Sequence, residues 1–142
     1  MQVDFNEFLS SSAKGMKPSP IRALLGVVNQ PGVISFAGGF PNPATFPIED
    51  LKTIMMEVLE EEGAKALQYG GTDGNAALRD ELAKRYVKEG LDIDKDNIII
   101  TTASQQAIDL TAKVLLDPGD IVICGLPSYL GALQAFGTYQ AK

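Results

Sequence analysis

Two short runs of consecutive apolar residues constrain the fold of this chain more than any other feature. The first is the run of three successive isoleucines within residues 97–101, and the second is residues 121–124. Continuous apolar runs of this length are typical of strands that are buried on both faces of a parallel sheet. A helical pattern follows each run, over residues 104–116 and 130–136. The order strand, helix, strand, helix predicts the beginning of an open α/β sheet.

The chain ahead of these runs reads as an irregular arm followed by two helices. Residues 1–20 are polar and rich in serine and proline, and residues 21–28 form a short amphipathic segment. An apolar stripe after Pro47 predicts a helix over residues 47–62. A second helix is predicted over residues 75–89, after the glycine-rich loop of residues 69–75. We therefore predict helices and shaped loops in this part of the chain.

Composition excludes several classes of function. The chain has a net charge of -6, no histidine and a single cysteine, Cys124. The acidic balance argues against nucleic-acid binding, and the missing histidines argue against catalytic triads and the usual metal sites. No apolar stretch is long enough to span a membrane, and the first ten residues lack the pattern of a secretory signal. We therefore expect a cytoplasmic protein without a metal, a nucleic-acid partner or a membrane.

The start of the helix after the first apolar run is a candidate phosphate site. Thr102 and Gln105 have the spacing of a capping box, which predicts a helix N-terminus directly after a buried strand. Backbone amides there lack helical partners, and the helix dipole adds partial positive charge. A phosphate suits that position, and Ser104 can add a hydroxyl group. The alternative is structural, because most capped helices that follow strands bind no ligand.

Four further residues are candidates only in combination. Tyr129 follows the second apolar run, at the edge of an α/β sheet where ligands collect, and its ring can stack on a planar group. Gly39 lies in a loop that lets a ligand approach the backbone. Tyr69 can reach a phosphate with its hydroxyl group, and Arg22 can pair with a carboxylate. Taken singly, Tyr129 is better explained by packing and Tyr69 and Arg22 by solvated surface positions, while an ordinary turn explains Gly39 equally well.

Taken together, five segments resemble one family. They are residues 18–22 (PSPIR), 34–41 (ISFAGGFP), 66–69 (ALQY), 101–107 (TTASQQA) and 126–132 (LPSYLGA). Their order and identity resemble the fold-type I (class I/II) aminotransferases, which depend on pyridoxal 5'-phosphate (PLP), and within them the 2-aminoadipate and aromatic (LysN-like) group. The resemblance implies an α/β chain that holds the N-terminal portion of this fold. Residues 1–46 would be the arm and substrate-loop segment, and residues 47–142 the incomplete beginning of the PLP-binding large domain.

The resemblance also assigns roles to the candidate residues. The segment Ala103, Ser104 and Gln105 would contact the cofactor phosphate, and Tyr129 would stack on the pyridine ring. Tyr69 would reach the phosphate of the neighbouring subunit in a homodimer. The substrates would be an amino acid and a 2-oxo acid, which would contact Gly39 at the carboxylate, and Arg22 and Ser19 at the side chain.

Parts of the family pattern are missing or altered. None of the nine lysines lies in the family's Ser-x-x-Lys context, so no catalytic residue is assigned and the chain alone is expected to be an inactive fragment of an aminotransferase. Ala103 stands where glycine is common, and Gly125 where an acidic residue often precedes Pro-Ser-Tyr. Two alternatives remain at this point. One is the ligand-sensing module of a MocR-type regulator, and the other is an inactive α/β fragment that binds a phosphometabolite.

Overall fold

The computed structural model describes residues 4–16, 30–34, 36 and 39–142. The helices in this part of the chain are α1 (Ser11–Gly15), α2 (Ile48–Ala66), α3 (Ala76–Lys88), α4 (Ala103–Leu115) and α5 (Leu130–Thr138), with 3₁₀ helices at Phe5–Phe8, Pro43–Thr45 and Lys95–Asn97. The four helices predicted between residues 47 and 136 are confirmed. α2 extends beyond its predicted end, across a kink at Glu62 where φ is -131° and ψ is 17°.

The chain forms two compact units. The middle unit is Pro20–Ile100, and the terminal unit combines Met1–Ser19 with Thr101–Lys142. Within the middle unit, α3 packs against the 3₁₀ helix Lys95–Asn97. Within the terminal unit, both α1 and α4 pack against α5. The candidate residues Ala103–Gln105 and Tyr129 thus belong to one unit, the terminal one.

The core of the described residues is small. Its buried apolar side chains are Ala83, Ala112 and Ala135, one on each of α3, α4 and α5. The apolar stripe of α2 is exposed, and α2 contacts no other helix of the described chain. An apolar surface of this extent is typical of one that packs against further polypeptide.

The two apolar runs are extended, but no described residue forms a regular strand. Ile98 has φ -121° and ψ 132°, which is extended backbone. The prediction that both runs are buried is wrong for this chain, because Ile99 is 67% exposed and Ile123 is 95% exposed. A parallel strand is buried only where neighbouring strands and helices cover it on both faces. Among the described residues, neither run has that cover.

One pair of hydrogen bonds nevertheless has the pattern of a parallel sheet. The amide of Lys142 donates to the carbonyl of Asp120 at 2.8 Å, and the amide of Val122 donates to the carbonyl of Lys142 at 2.9 Å. A residue that bonds in this way to both neighbours of Ile121 is paired with it as in parallel strands. Since α5 lies between the two segments, their connection has the order of a strand-helix-strand crossover.

Candidate functional site

The first turns of α4 and α5 meet at Gly131. The Gln105 side chain, in the first turn of α4, donates from Nε2 to the Gly131 carbonyl at 3.0 Å. Tyr129 is the N-cap of α5. A Cβ atom at Gly131 would lie 2.6 Å from Cε1 of Tyr129 and would also clash with the Gln105 amide oxygen. The structure therefore brings together two of the predicted residues, Gln105 and Tyr129, around a glycine where a Cβ atom would displace both side chains.

The amides that open α4 are free to bind an anion. No described residue accepts a hydrogen bond from the backbone amides of Ala103, Ser104 or Gln105, and Thr102 makes no side-chain cap. Unpartnered amides and the positive end of the helix dipole together favour a phosphate or carboxylate. The geometry fits a phosphate group beside an aromatic ring.

The predicted capping box is wrong in detail. Gln105 turns to Gly131, and the side chain that returns to the Thr102 amide is that of Gln106, through Oε1. The regular cap is lost because Thr102 has φ -76° and ψ 83° and Ala103 follows in the left-handed region. Gln106 accepts only from the Thr102 amide, so no described side chain occupies the amides of the next three residues.

Ala103 has a φ of 59°, in a region that disfavours residues with a Cβ atom. Glycine would adopt this conformation without that cost. The Thr101 hydroxyl donates to the Ala103 carbonyl at 3.2 Å, which helps to hold the turn. Alanine, the smallest residue with a Cβ atom, is thus accommodated here at a cost in backbone energy.

A second contact fixes α4 against α5 at the far end of the pair. The Tyr139 hydroxyl, just after α5, donates to Oδ1 of Asp109 on α4 at 3.2 Å. Burial, and then the negative charge of Asp109, raise the pKa of Tyr139 above its ordinary value. The hydroxyl therefore remains protonated and keeps donating at neutral pH. The two contacts, at Gly131 and at Tyr139, set the angle between the helices that carry the site.

The remaining predicted residues lie elsewhere. Tyr69 is fully exposed, and its amide donates to Oε1 of Gln68 at 2.8 Å. Gly39 is exposed, and a Cβ atom there would meet nothing within 4 Å. Both belong to the middle unit. Arg22 and Ser19 lie outside the described residues.

Sequence reasoning missed two residues that shape the candidate regions. Gly131 was part of a matching segment, but only the meeting of two helix starts shows why it is glycine. Arg79 is 7% exposed and pairs with Asp73 at 2.5 Å. The only sequence signal for Arg79 was an arginine on the first turn of a helix after an Asp-Gly-Asn turn.

Two further classes of site are absent from the described part of the chain. None of its helices has the length and apolar character needed to cross a membrane. Nor do three or more cysteine, aspartate or glutamate side chains cluster there in a way that could hold a metal ion.

Comparison with known proteins places the chain in a family. Residues 33–142 match the model of the family described as "Aminotransferase class I and II". The chain therefore belongs to the class I and II aminotransferases, as the five segments indicated.

Its relatives include archaeal and bacterial enzymes. The chain is 48% identical to aromatic-amino-acid aminotransferase 1 of Thermococcus litoralis, over 99% of this chain and 34% of that protein. It is similar to the solved kynurenine aminotransferase of Pyrococcus horikoshii, with a TM-score of 0.88 and 46% identity over 98% of this chain and 34% of that one. It is also similar to LysN, the α-aminoadipate aminotransferase of Thermus thermophilus, solved with N-(5'-phosphopyridoxyl)-L-leucine, with a TM-score of 0.81 and 39% identity over 99% of this chain and 33% of that one. The chain spans about a third of the length of these relatives.

Proposed function

We propose that this chain is the N-terminal part of a PLP-dependent aminotransferase, which moves an amino group between an amino acid and a 2-oxo acid. The observation that carries the proposal is the opening of α4: the three amides of Ala103–Gln105 have no partner among the described residues and lie next to the N-cap tyrosine of α5. Membership of the aminotransferase family and the phosphopyridoxyl ligand of LysN support the same cofactor.

The residues present fit the two recognisable parts of PLP. The amides of Ala103–Gln105 and the Ser104 hydroxyl would hold the phosphate, since donors there are already aimed outward from the helix start. The ring of Tyr129, 60% exposed, would stack on the pyridine ring with its free face. When bound, the cofactor supplies an electron sink for chemistry at the substrate's α-carbon. This chain would bind and orient the cofactor, and the rest of the enzyme would supply the lysine.

The other assignments extend the proposal. Tyr69 would donate to the phosphate in the neighbouring subunit of a homodimer, and Gly39 would lie beside the substrate carboxylate. Arg22 and Ser19 would contact the substrate side chain. Residues 1–46 would form the arm and substrate loop, and residues 47–142 would begin the large domain, where the two extended runs become strands of the α/β sheet. The enzyme would work in the cytoplasm.

The proposal is tested with a reconstituted enzyme. This is the 142-residue chain joined to the portion of the Thermococcus litoralis aminotransferase that the chain does not match. We expect it to bind PLP and to transaminate an aromatic amino acid or 2-aminoadipate with a 2-oxo acid. Ser104→Ala removes a hydrogen bond to a charged group, which contributes about 1.5–3 kcal/mol, so PLP should dissociate at least tenfold more readily. A PLP titration followed by absorbance measures the change.

The matched control is Ser11→Ala, at an exposed serine that begins α1. It should leave PLP affinity unchanged. The chain alone should give no transamination, because it has no lysine in the required context. A reconstituted enzyme that fails to bind PLP, or whose Ser104→Ala variant binds it equally well, would disprove the proposal.

The left-handed turn at Ala103 gives a prediction about stability. That conformation costs an L-residue roughly 1–2 kcal/mol, a cost that glycine avoids. Glycine also makes the unfolded chain more flexible, which reduces the gain in stability by up to about 1 kcal/mol. We expect Ala103→Gly to stabilise the reconstituted enzyme by about 0.5–1 kcal/mol in urea denaturation. Ala107→Gly, one turn further along α4, should instead destabilise it by about 1 kcal/mol. If the two variants lose stability equally, Ala103 does not have the left-handed conformation described here.

A further inference from the structure

Arg79 joins the two segments that flank α3. It is the one buried charged side chain among the described residues, and its guanidinium pairs with the Asp73 carboxylate at 2.5 Å. The same group donates from Nη1 to the Lys95 carbonyl at 2.8 Å and lies 3.6 Å from the Asp96 carboxylate. One cation thus ties the loop before α3 to the 3₁₀ helix after it.

The loop that Arg79 holds is the one that presents Tyr69. The Tyr69 side chain is fully exposed, so the backbone on either side of it must set its position. On its C-terminal side, the Gly74 amide closes a turn on the Gly71 carbonyl at 3.0 Å, and the Asp73 carbonyl accepts from the Ile100 amide at 3.0 Å. The carboxylate of Asp73 is the side-chain anchor of this turn, and its partner is Arg79.

We propose that Arg79 is a positioning residue for cofactor binding: through Asp73 it fixes the loop of residues 70–74, and so places the Tyr69 hydroxyl for the phosphate. The inference rests on the proposed role of Tyr69. Asp73 is half-exposed, whereas Arg79 is buried, so the pair is screened from water on the arginine side. A loop rich in glycine would otherwise sample many conformations, because Gly70, Gly71 and Gly74 impose little restriction on the backbone.

Arginine is required because the partners lie in different directions. A planar guanidinium offers donors to a carboxylate and to a carbonyl at the same time. The ammonium group of lysine is a compact charge that cannot keep both contacts at these distances. Arg79→Lys therefore preserves the charge but releases either the loop or the Lys95 carbonyl.

The test measures PLP affinity in the reconstituted enzyme for Arg79→Lys, Tyr69→Phe and the double variant. We expect each single variant to weaken PLP binding about fivefold or more, and the double variant to be little worse than Tyr69→Phe alone. Such non-additivity is expected when one residue acts through the other. A general loss of structure would instead add to the loss from Tyr69→Phe. Asp73→Asn, which keeps the arginine, should reproduce the effect of Arg79→Lys. It replaces Arg79→Lys in the test if that variant folds poorly.

Hydrogen exchange in the cofactor-free protein gives a second readout. The amides of Gly74 and Ile100, which donate to the carbonyls of Gly71 and Asp73, should exchange at least tenfold faster in Arg79→Lys. The matched control is Arg85→Lys, on the exposed side of the same helix, where the side chain is 76% exposed and pairs only with Glu89 among the described residues. It should change neither exchange nor affinity.

The outcomes separate this inference from the proposed function. If the wild-type protein binds PLP but the losses from Arg79→Lys and Tyr69→Phe add, Arg79 is only structural and the inference is wrong. Unchanged exchange at the amides of Gly74 and Ile100 overturns it in the same way. If the wild-type protein does not bind PLP, the proposed function fails first, and the positioning of the cofactor by Arg79 fails with it.

Discussion

Gly131→Ala is expected to destabilise the reconstituted enzyme and to weaken PLP binding, although the position is helical. In a helix, replacing glycine with alanine normally stabilises by about 1 kcal/mol. Here the new Cβ atom would lie 2.6 Å from Cε1 of Tyr129 and would clash with the Gln105 amide oxygen. Overpacking of this kind costs about 1–3 kcal/mol and displaces the side chains involved. Those side chains are the proposed ring-stacking residue and the link between α4 and α5.

The size of the effect on the cofactor follows from the displaced groups. Loss of the stacking contact alone is worth about 1 kcal/mol, or roughly a fivefold change in the dissociation constant. Movement of Gln105 would also disturb the turn whose amides are proposed to hold the phosphate. We therefore expect PLP to bind at least tenfold more weakly, as measured by titration.

Gly137→Ala is the matched control, because it lies in the same helix and its Cβ atom would meet nothing within 4 Å. It should stabilise by about 1 kcal/mol and leave PLP affinity unchanged. In urea denaturation, a loss of stability in Gly131→Ala together with a gain in Gly137→Ala would support the close approach at Gly131. If both alanines stabilise the protein, the first turns of α4 and α5 do not meet as described.

The helices could be predicted from the sequence because their signals are local. Pro47, Asn75 and the apolar periodicity mark where α2 and α3 begin and which face is apolar. The start of α4 could be predicted for the same reason, and the proposal that it binds a phosphate rests on the unpartnered amides that any helix N-terminus has. The left-handed backbone at Ala103 was not visible, because alanine carries no signal for that conformation.

The burial of the apolar runs could not be predicted, because it depends on partners. The pattern of Ile98–Ile100 shows what surroundings a strand prefers, but other segments must supply them. The same holds for α2, whose apolar stripe is real but unpartnered among the described residues. Likewise, the contact of Gln105 with Gly131 joins residues 26 positions apart, and no local pattern encodes such a pair.

Gly74→Ala is expected to cost more stability than replacement of any other described glycine in the middle unit. Gly74 has φ +95°, which alanine adopts only with strain of about 1–3 kcal/mol. Its Cβ atom would also lie 2.6 Å from both Cβ and Cγ1 of Ile100. Ile100 cannot move aside easily, because its amide is bonded to the Asp73 carbonyl at 3.0 Å. Strain and overpacking together should destabilise the reconstituted enzyme by about 3 kcal/mol or more in urea denaturation.

Gly90 allows the two causes to be separated. It also has φ +95°, but a Cβ atom there would meet nothing within 4 Å. Gly90→Ala should therefore show the backbone strain alone, about 1–3 kcal/mol. The difference between the two variants measures how closely the loop before α3 approaches the first apolar run. That approach holds the turn beside Tyr69, so Gly74→Ala should also speed hydrogen exchange of the Ile100 amide, which donates to the Asp73 carbonyl, whereas Gly90→Ala should not. Equal losses of stability at Gly74 and Gly90 would mean that Ile100 does not pack against this turn.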